Sequence, residues 1–390
     1  MTRISSPVDI ARDVLPVVKQ EAAQVDERAS FPETGLQALR DSGLLGLLVP
    51  EEHGGLGGDL GDLVEVAQVL AAGCASTAMI WAMHCQQSDA VIGFADPGLR
   101  DALLPRIARG DLYLASVTTE PGKGGHLLTN QAPLHHAGGD LALQREAPVV
   151  TGGTHADGFL ITMRAELDAP QNQVTLVYAD RDQLEIVPTS TWDTLGMRGT
   201  HSAGLKLSGS VPATQMIGAG GDFRRIAVES MAPVGHLAWA ACWLGTARAA
   251  LSDVVTLMRS ADRPRGLDIR SDLVSERLAR IRMDLELVSA YLHRVRDEVL
   301  QLRCDGQSLD RPHIQIHLNT LKVTAAELAF RSVDRLVQLT GLDLGYRRDS
   351  VLALERRFRD LRSASLNYAN DRLLAVTGAI TLLDRAVRLA

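Results

Sequence analysis

Aromatic residues are scarce: Phe, Trp and Tyr make up 4% of the 390 residues, while Ala and Leu dominate, a balance that favours helix over strand. Basic residues are not in excess. The net charge is −7 with no basic stripe, which argues against a nucleic-acid-binding surface. Only four cysteines occur, Cys74, Cys85, Cys242 and Cys304, far apart and without metal-like spacing. They read as reduced, mostly buried thiols of a cytoplasmic protein, with neither a disulfide framework nor a metal site. Long apolar runs are missing too. The longest candidate, Leu237-Ala-Trp-Ala-Ala-Cys-Trp-Leu244, is far shorter than the roughly 20 residues a membrane span needs. Met1-Thr-Arg-Ile runs into mixed helical sequence without a leader pattern. What the chain does have is 46% hydrophobic residues over a length that exceeds one hydrophobic core, so two or three packed units are expected.

Periodicity divides the chain into α, then β, then α. From Val8 to about Arg109 the pattern is helical: Phe31–Arg40, Asp59–Gly73 and the almost wholly apolar Ala75–Val91. From Leu112 to about Ile217, short β-type runs recur about every ten residues with turn residues between. Examples are Pro148-Val-Val-Thr151, Gly158–Met163, Val174–Tyr178, Leu184–Val187 and Gly204–Ser208. Longer helical segments then follow: Ala227–Arg259, Asp272–Arg303, Arg311–Thr340 and Leu373–Leu389. The expected fold class is α+β. It comprises an N-terminal helical domain (1–111), a middle β-barrel or sandwich (112–218) and a C-terminal four-helix bundle (219–390).

Within this frame, Leu112-Tyr-Leu-Ala-Ser-Val117 reads as a buried strand that opens into Thr118-Thr-Glu-Pro-Gly-Lys-Gly-Gly125. Hydroxyls and bare backbone at a strand end can meet carbonyls or phosphates, and glycine admits close approach. A tight surface turn has the same composition. The residues of this stretch alone leave the two readings even.

Four stretches, in order, resemble the acyl-CoA dehydrogenase family of FAD proteins along nearly the whole chain. Leu47-Leu-Val-Pro-Glu-Glu-His-Gly-Gly-Leu-Gly57 resembles its N-terminal Pro-Glu-x-x-Gly-Gly-x-Gly loop, and Thr118–Gly125 its flavin loop. Leu195-Gly-Met-Arg-Gly-Thr-His-Ser202 is similar to Met-Gly-x-Arg-Gly-Ser, and Phe358-Arg-Asp360 to the Arg-Asp step before the last helices. The resemblance implies a tetramer or dimer with FAD between β-domain and bundle, a neighbouring subunit contributing to the site. It implies that Thr118 and Thr119 meet the flavin's pyrimidine edge and Thr151 its N5. Gln338 and Gly341 would meet the adenosine end, and Asn370 falls at a cofactor-contacting threonine.

The departures concern catalysis. The family's glutamate base removes an acyl thioester's α-proton while hydride leaves for flavin N5, a task for a desolvated carboxylate. Its place after Arg359-Asp360 is taken by Tyr368. The family's second position for the base, on the first bundle helix, falls at Gly235 beside His236. The flavin loop's Ser-Asp becomes Gly125-His126, and its flavin-flanking Trp becomes Val149. The cross-subunit Arg-x-x-Phe-Gly becomes Arg263-Pro-Arg-Gly266. His84 lies on the apolar helix that faces the substrate side in the family, so Tyr368 and His84 are the catalytic candidates. A histidine on such a helix is more often a satisfied core residue.

Three functions are therefore expected, in this order. The first is FAD-dependent oxidation of an acyl thioester carried by CoA or an acyl carrier protein, with a separate electron acceptor. The second is a monooxygenase of the same fold fed with reduced flavin by a partner reductase. The third is a non-catalytic flavin-binding member.

Overall fold

A computed structural model describes residues 6–122, 126–261, 263 and 267–390. Five helices come first: α1 (Pro7–Arg28), α2 (Glu33–Asp41), α3 (Leu60–Gly73), α4 (Ala75–Phe94) and α5 (Pro97–Ala108). Their starts are written in the sequence. Asp59 caps α3 by accepting from Gly61 N and Asp62 N, and the Asp62 carboxylate accepts from Asp59 N in return. Helix α4 is buried on nearly every side, as its almost unbroken apolar character predicts.

Eight strands follow: β1 (Leu114–Val117), β2 (His135–Ala137), β3 (Asp140–Ala147), β4 (Gly158–Arg164), β5 (Val174–Asp180), β6 (Leu184–Pro188), β7 (Leu205–Pro212) and β8 (Met216–Ile217). They form two four-stranded sheets, ordered β1-β4-β5-β8 and β2-β3-β7-β6. Strand alternation sends Phe159, Ile161 and Met163 into a core shared with Leu141, Leu143, Leu205 and Leu207 of the other sheet. The arrangement is a sandwich. On the opposite face Leu160, Leu176 and Tyr178 pack against Leu104 and Ile107 of α5. The first sheet is thus covered on both sides, which explains why β4 and β5 read as continuous apolar runs.

The last helices are α6 (Phe223–Ile226), α7 (Ala232–Arg259), α8 (Asp272–Cys304), α9 (Pro312–Gly341), α10 (Leu354–Arg362) and α11 (Asn370–Thr381). A π-helical stretch, Ala227–Met231, joins α6 to α7. Two expectations from the sequence fail. Pro148–Thr151 is a loop with Val149 partly exposed, because its backbone bonds to the loop at Thr200 and Ala203 and not to a neighbouring strand. The final helix stops at Thr381; beyond it Leu382, Leu383 and Leu389 are exposed, and no packing face sustains another turn.

Candidate active site

The end of β1 opens into a cavity of about 680 Å³ between the sandwich and the helices, within the range of small-molecule sites. One wall is the strand end and its neighbouring loops: Ser116, Thr118, Thr119, Val149, Thr151 and Trp192. The facing wall is helical, with Met79, Met83 and Gln86 from α4 and Ala232, His236 and Trp239 from α7. Segment Ser363–Ala369, including Tyr368, closes one end.

The β wall is held by a buried ion pair. Arg145, wholly enclosed, donates to Glu120 at 2.6 Å and to Thr119 O at 2.6 Å. Glu120 also accepts from Gln131 N and Ala132 N. The two charges of this knot pair with each other, while Arg145 Nε has no partner among the described residues. Thr119 Oγ1 donates to Val149 O at 2.8 Å, while the Thr118 hydroxyl has no protein partner among the described residues. Thr151 begins a chain of hydroxyls: Thr151 Oγ1 lies 3.0 Å from Ser202 Oγ, which lies 2.8 Å from Thr200 Oγ1, and Thr200 donates to Met197 O at 2.8 Å. Because the last donation is fixed, each hydroxyl donates down the chain. Thr151 therefore presents an oxygen lone pair to the cavity and suits an N–H donor.

The helical wall holds His236, 2% exposed. It donates from Nδ1 to Leu318 O at 3.2 Å, which leaves Nε2 as the acceptor edge at the cavity. Burial, with the charge of Lys322, holds its pKa down at about 3, so the ring is neutral. Tyr368 stands edge-on to His236 with ring centroids 5.8 Å apart, in the left-handed backbone region at φ 53°. Burial of its hydroxyl pushes the pKa up to about 12. Met197, also on the wall, has φ 54°; two such non-glycine residues at one cavity mark a conformation imposed by surrounding contacts.

Of the residues expected from the sequence, Thr118, Thr119, Thr151 and Tyr368 meet at this cavity. The others do not. His84 is fully buried. Its Nδ1 accepts from Leu114 N at 3.0 Å and its Nε2 donates to Leu45 O at 2.9 Å, so neither nitrogen is free for catalysis. Burial drops its pKa to about 4. Asn370 is buried behind the wall, where its Oδ1 accepts from Lys322 Nζ at 2.7 Å. Gln338 is exposed and bonded to Asp334, and Gly341 ends α9 in the open; neither lines the cavity of its own chain. Gly125 lies outside the described residues, as does Arg265. His236 and Arg145 were missed as site residues. His236 is adjacent to the expected Gly235, which instead faces α4, where an added Cβ would lie 2.3 Å from Gln86 Nε2.

Profiles of the acyl-CoA dehydrogenase N-terminal and C-terminal domains match residues 10–111 and 225–367, between them more than half of the chain. The chain belongs to the acyl-CoA dehydrogenase family. That family consists of flavin-dependent oxidoreductases. Among relatives, the cyclohex-1-ene-1-carbonyl-CoA dehydrogenase of Syntrophus aciditrophicus is 28% identical over 54% of this chain and 50% of its own. The match thus spans half the length of that enzyme. The 3-(aryl)acrylate reductase of Clostridium sporogenes is 24% identical over 93% of each chain. Among solved structures, the dibenzothiophene monooxygenase TdsC of Paenibacillus sp. A11-2, bound to FMN, superposes with a TM-score of 0.84. At 22% identity over 97% of this chain and 98% of that one, it shows the shared fold.

No helix among the described residues is long and apolar enough to cross a membrane.

Proposed function

We propose that this family member is a flavin-dependent monooxygenase whose flavin lies along the β wall and whose substrate occupies the helical side. The carrying observation is that the cavity offers no base for α-proton removal. Glu120 is the one carboxylate lining it among the described residues, and Arg145 and two backbone N–H groups consume it. Tyr368 is a weaker acid than free tyrosine, so its phenolate is not available near neutrality. His236 is too weak a base.

The residues present fit a flavin. Thr118 offers an unspent hydroxyl, Thr119 a backbone edge and Thr151 an acceptor for an N–H, along a wall next to a 680 Å³ space. Flavin supplies the redox chemistry, and the chain's residues bind, orient and exclude water. Met79, Met83, Trp239 and Leu366 shield the space with apolar surface. Tyr368 can donate its hydroxyl proton in a hydrogen bond, and Thr151 can accept one. Reduced flavin would come from a separate reductase.

The apolar strip Leu342, Tyr346 and Val351, each more than two-thirds exposed, fits a homo-oligomer contact. Such a contact would bring Gln338 and Gly341 to a neighbour's FAD. The free thiols Cys74, Cys85, Cys242 and Cys304 fit a reducing cytoplasm.

Rapid mixing of the flavin-loaded, reduced protein with oxygen tests the proposal. It expects an absorbance stage distinct from reduced and oxidised flavin before the oxidised band returns; direct single-step reoxidation argues against it. Thioester oxidation is the second reading, favoured by the likeness to a cyclohex-1-ene-1-carbonyl-CoA dehydrogenase.

A further inference from the structure

One end of the cavity is closed by three rings, His236, Trp239 and Tyr368. Their centroids lie 5.8 Å (His236–Trp239), 5.8 Å (His236–Tyr368) and 6.3 Å (Trp239–Tyr368) apart. Two of the charges at this cavity are already spent. Arg359 reaches it but is held by Asp26 at 2.5 Å and Glu355 at 2.8 Å, and Glu120 is held by Arg145. Arg362 also lines the cavity; it is exposed and donates to Ser365 Oγ, with no carboxylate partner among the described residues. Neutral, flat, polarisable groups suit edge-on and tilted rings. Trp239 Nε1 and the Tyr368 hydroxyl are donors without a protein partner among the described residues, and His236 supplies an acceptor. With Nδ1–H committed to Leu318 O, His236 presents Nε2 as an acceptor without a protein partner among the described residues.

We infer that the His236–Trp239–Tyr368 end is a substrate subsite for a flat aromatic ring that carries an O–H or N–H, which it donates to His236 Nε2. The inference rests on the proposed reading, in which flavin takes the opposite wall and leaves this end to the substrate. Neutral imidazole is required for the acceptor role, and the buried setting of His236 keeps it neutral at all ordinary pH values. His236 acts here as a binding and orienting group, since the hydrogen bond fixes which ring edge faces the flavin.

Two probes of nearly one shape test this: 2-naphthol and 2-methoxynaphthalene, each titrated by its own fluorescence into the full chain with and without flavin. The naphthol should bind about three- to tenfold tighter than the methyl ether, the range of one net hydrogen bond. In His236→Leu the difference between naphthol and ether should vanish while the ether's own affinity holds within about twofold, an effect that loss of packing alone does not produce. Tyr368→Phe should keep the difference. Equal wild-type binding of naphthol and ether overturns the subsite whether or not the variants fold. If His236→Leu weakens flavin and leaves the probe difference intact, His236 faces the cofactor and the inference is wrong. Failure of the chain to bind flavin sinks the functional reading instead, and the flavin-free probe titrations still decide the subsite.

Discussion

Met197 donates its backbone N–H to the Asp360 carboxylate at 2.6 Å, joining two segments 163 residues apart in sequence. Beside it Arg359 donates to Leu195 O, and its guanidinium is gripped by Asp26 of α1. Gly196 is required at this crossing: an added Cβ would lie 2.0 Å from Arg359 O. Two of the four stretches that resemble the family are thus one structural feature, a clamp between the sandwich's Leu195–Ser202 loop and α10. It holds Met197 in its left-handed conformation at the cavity wall.

The clamp has a pH signature. Burial lifts the Asp360 pKa from 3.8 to about 6, against the pull of the Met197 N–H. The folded state therefore holds this proton at pH values where the unfolded chain has lost it. The stabilising contribution is full below about pH 4 and is lost as pH rises through about 6. Asp360→Asn should accordingly gain stability relative to the parent between pH 4 and pH 7, as read from urea midpoints. A constant difference across that window would show that Asp360 titrates normally.

Arg145→Met should be costly. It leaves Glu120 buried with its charge uncompensated and frees Thr119 O, so a loss of about 3–5 kcal/mol in unfolding free energy is expected. Flavin affinity should fall as well, because the Thr118–Glu120 segment loses its anchor. Chemical denaturation and a flavin titration of the same sample check both parts.

Lys322 is fully buried, donating to Ala364 O at 3.0 Å and Asn370 Oδ1 at 2.7 Å, and it ties down both ends of the segment that carries Tyr368. Burial lowers its pKa from 10.5 to about 7, only partly opposed by Glu327. The unfolded chain then binds more protons than the folded one between these values, so this group adds stability as pH rises from about 7 toward 10. Lys322→Met should remove that rise. The parent-minus-variant difference in urea midpoint between pH 7 and pH 8.5 measures it, since the buried tyrosines and cysteines cancel in the comparison.

Tyr368→Phe should leave flavin binding unchanged and preserve the pH dependence of turnover between pH 6 and pH 9, because the hydroxyl stays protonated throughout that range. A lost alkaline or acidic limb in the variant would show the phenol to be the proton-transferring group after all.

The α-β-α order was legible because apolar period and turn spacing are local properties. Thr118, Thr119, Thr151 and Tyr368 were legible because the segments flanking the cavity keep recognisable loops. What could not be read was long-range commitment. His84 looks like a catalytic histidine until Leu45 O and Leu114 N, distant in sequence, are seen to occupy both nitrogens. Asn370 is likewise claimed by Lys322. Arg145 reads as an ordinary strand residue, and only its contact with Glu120 reveals its role. His236 sits one residue from an expected base position, but helix geometry turns adjacent residues by about 100°, so Gly235 faces α4 while His236 meets the cavity.

The central claim is that this cavity holds flavin without a base able to take an α-proton. The direct measurement is anaerobic mixing of the flavin-loaded protein with short, medium and aromatic acyl thioesters, on CoA and on acyl carrier protein, while the visible flavin band is followed. The account predicts that the band persists with every thioester. Bleaching by any one of them would contradict it.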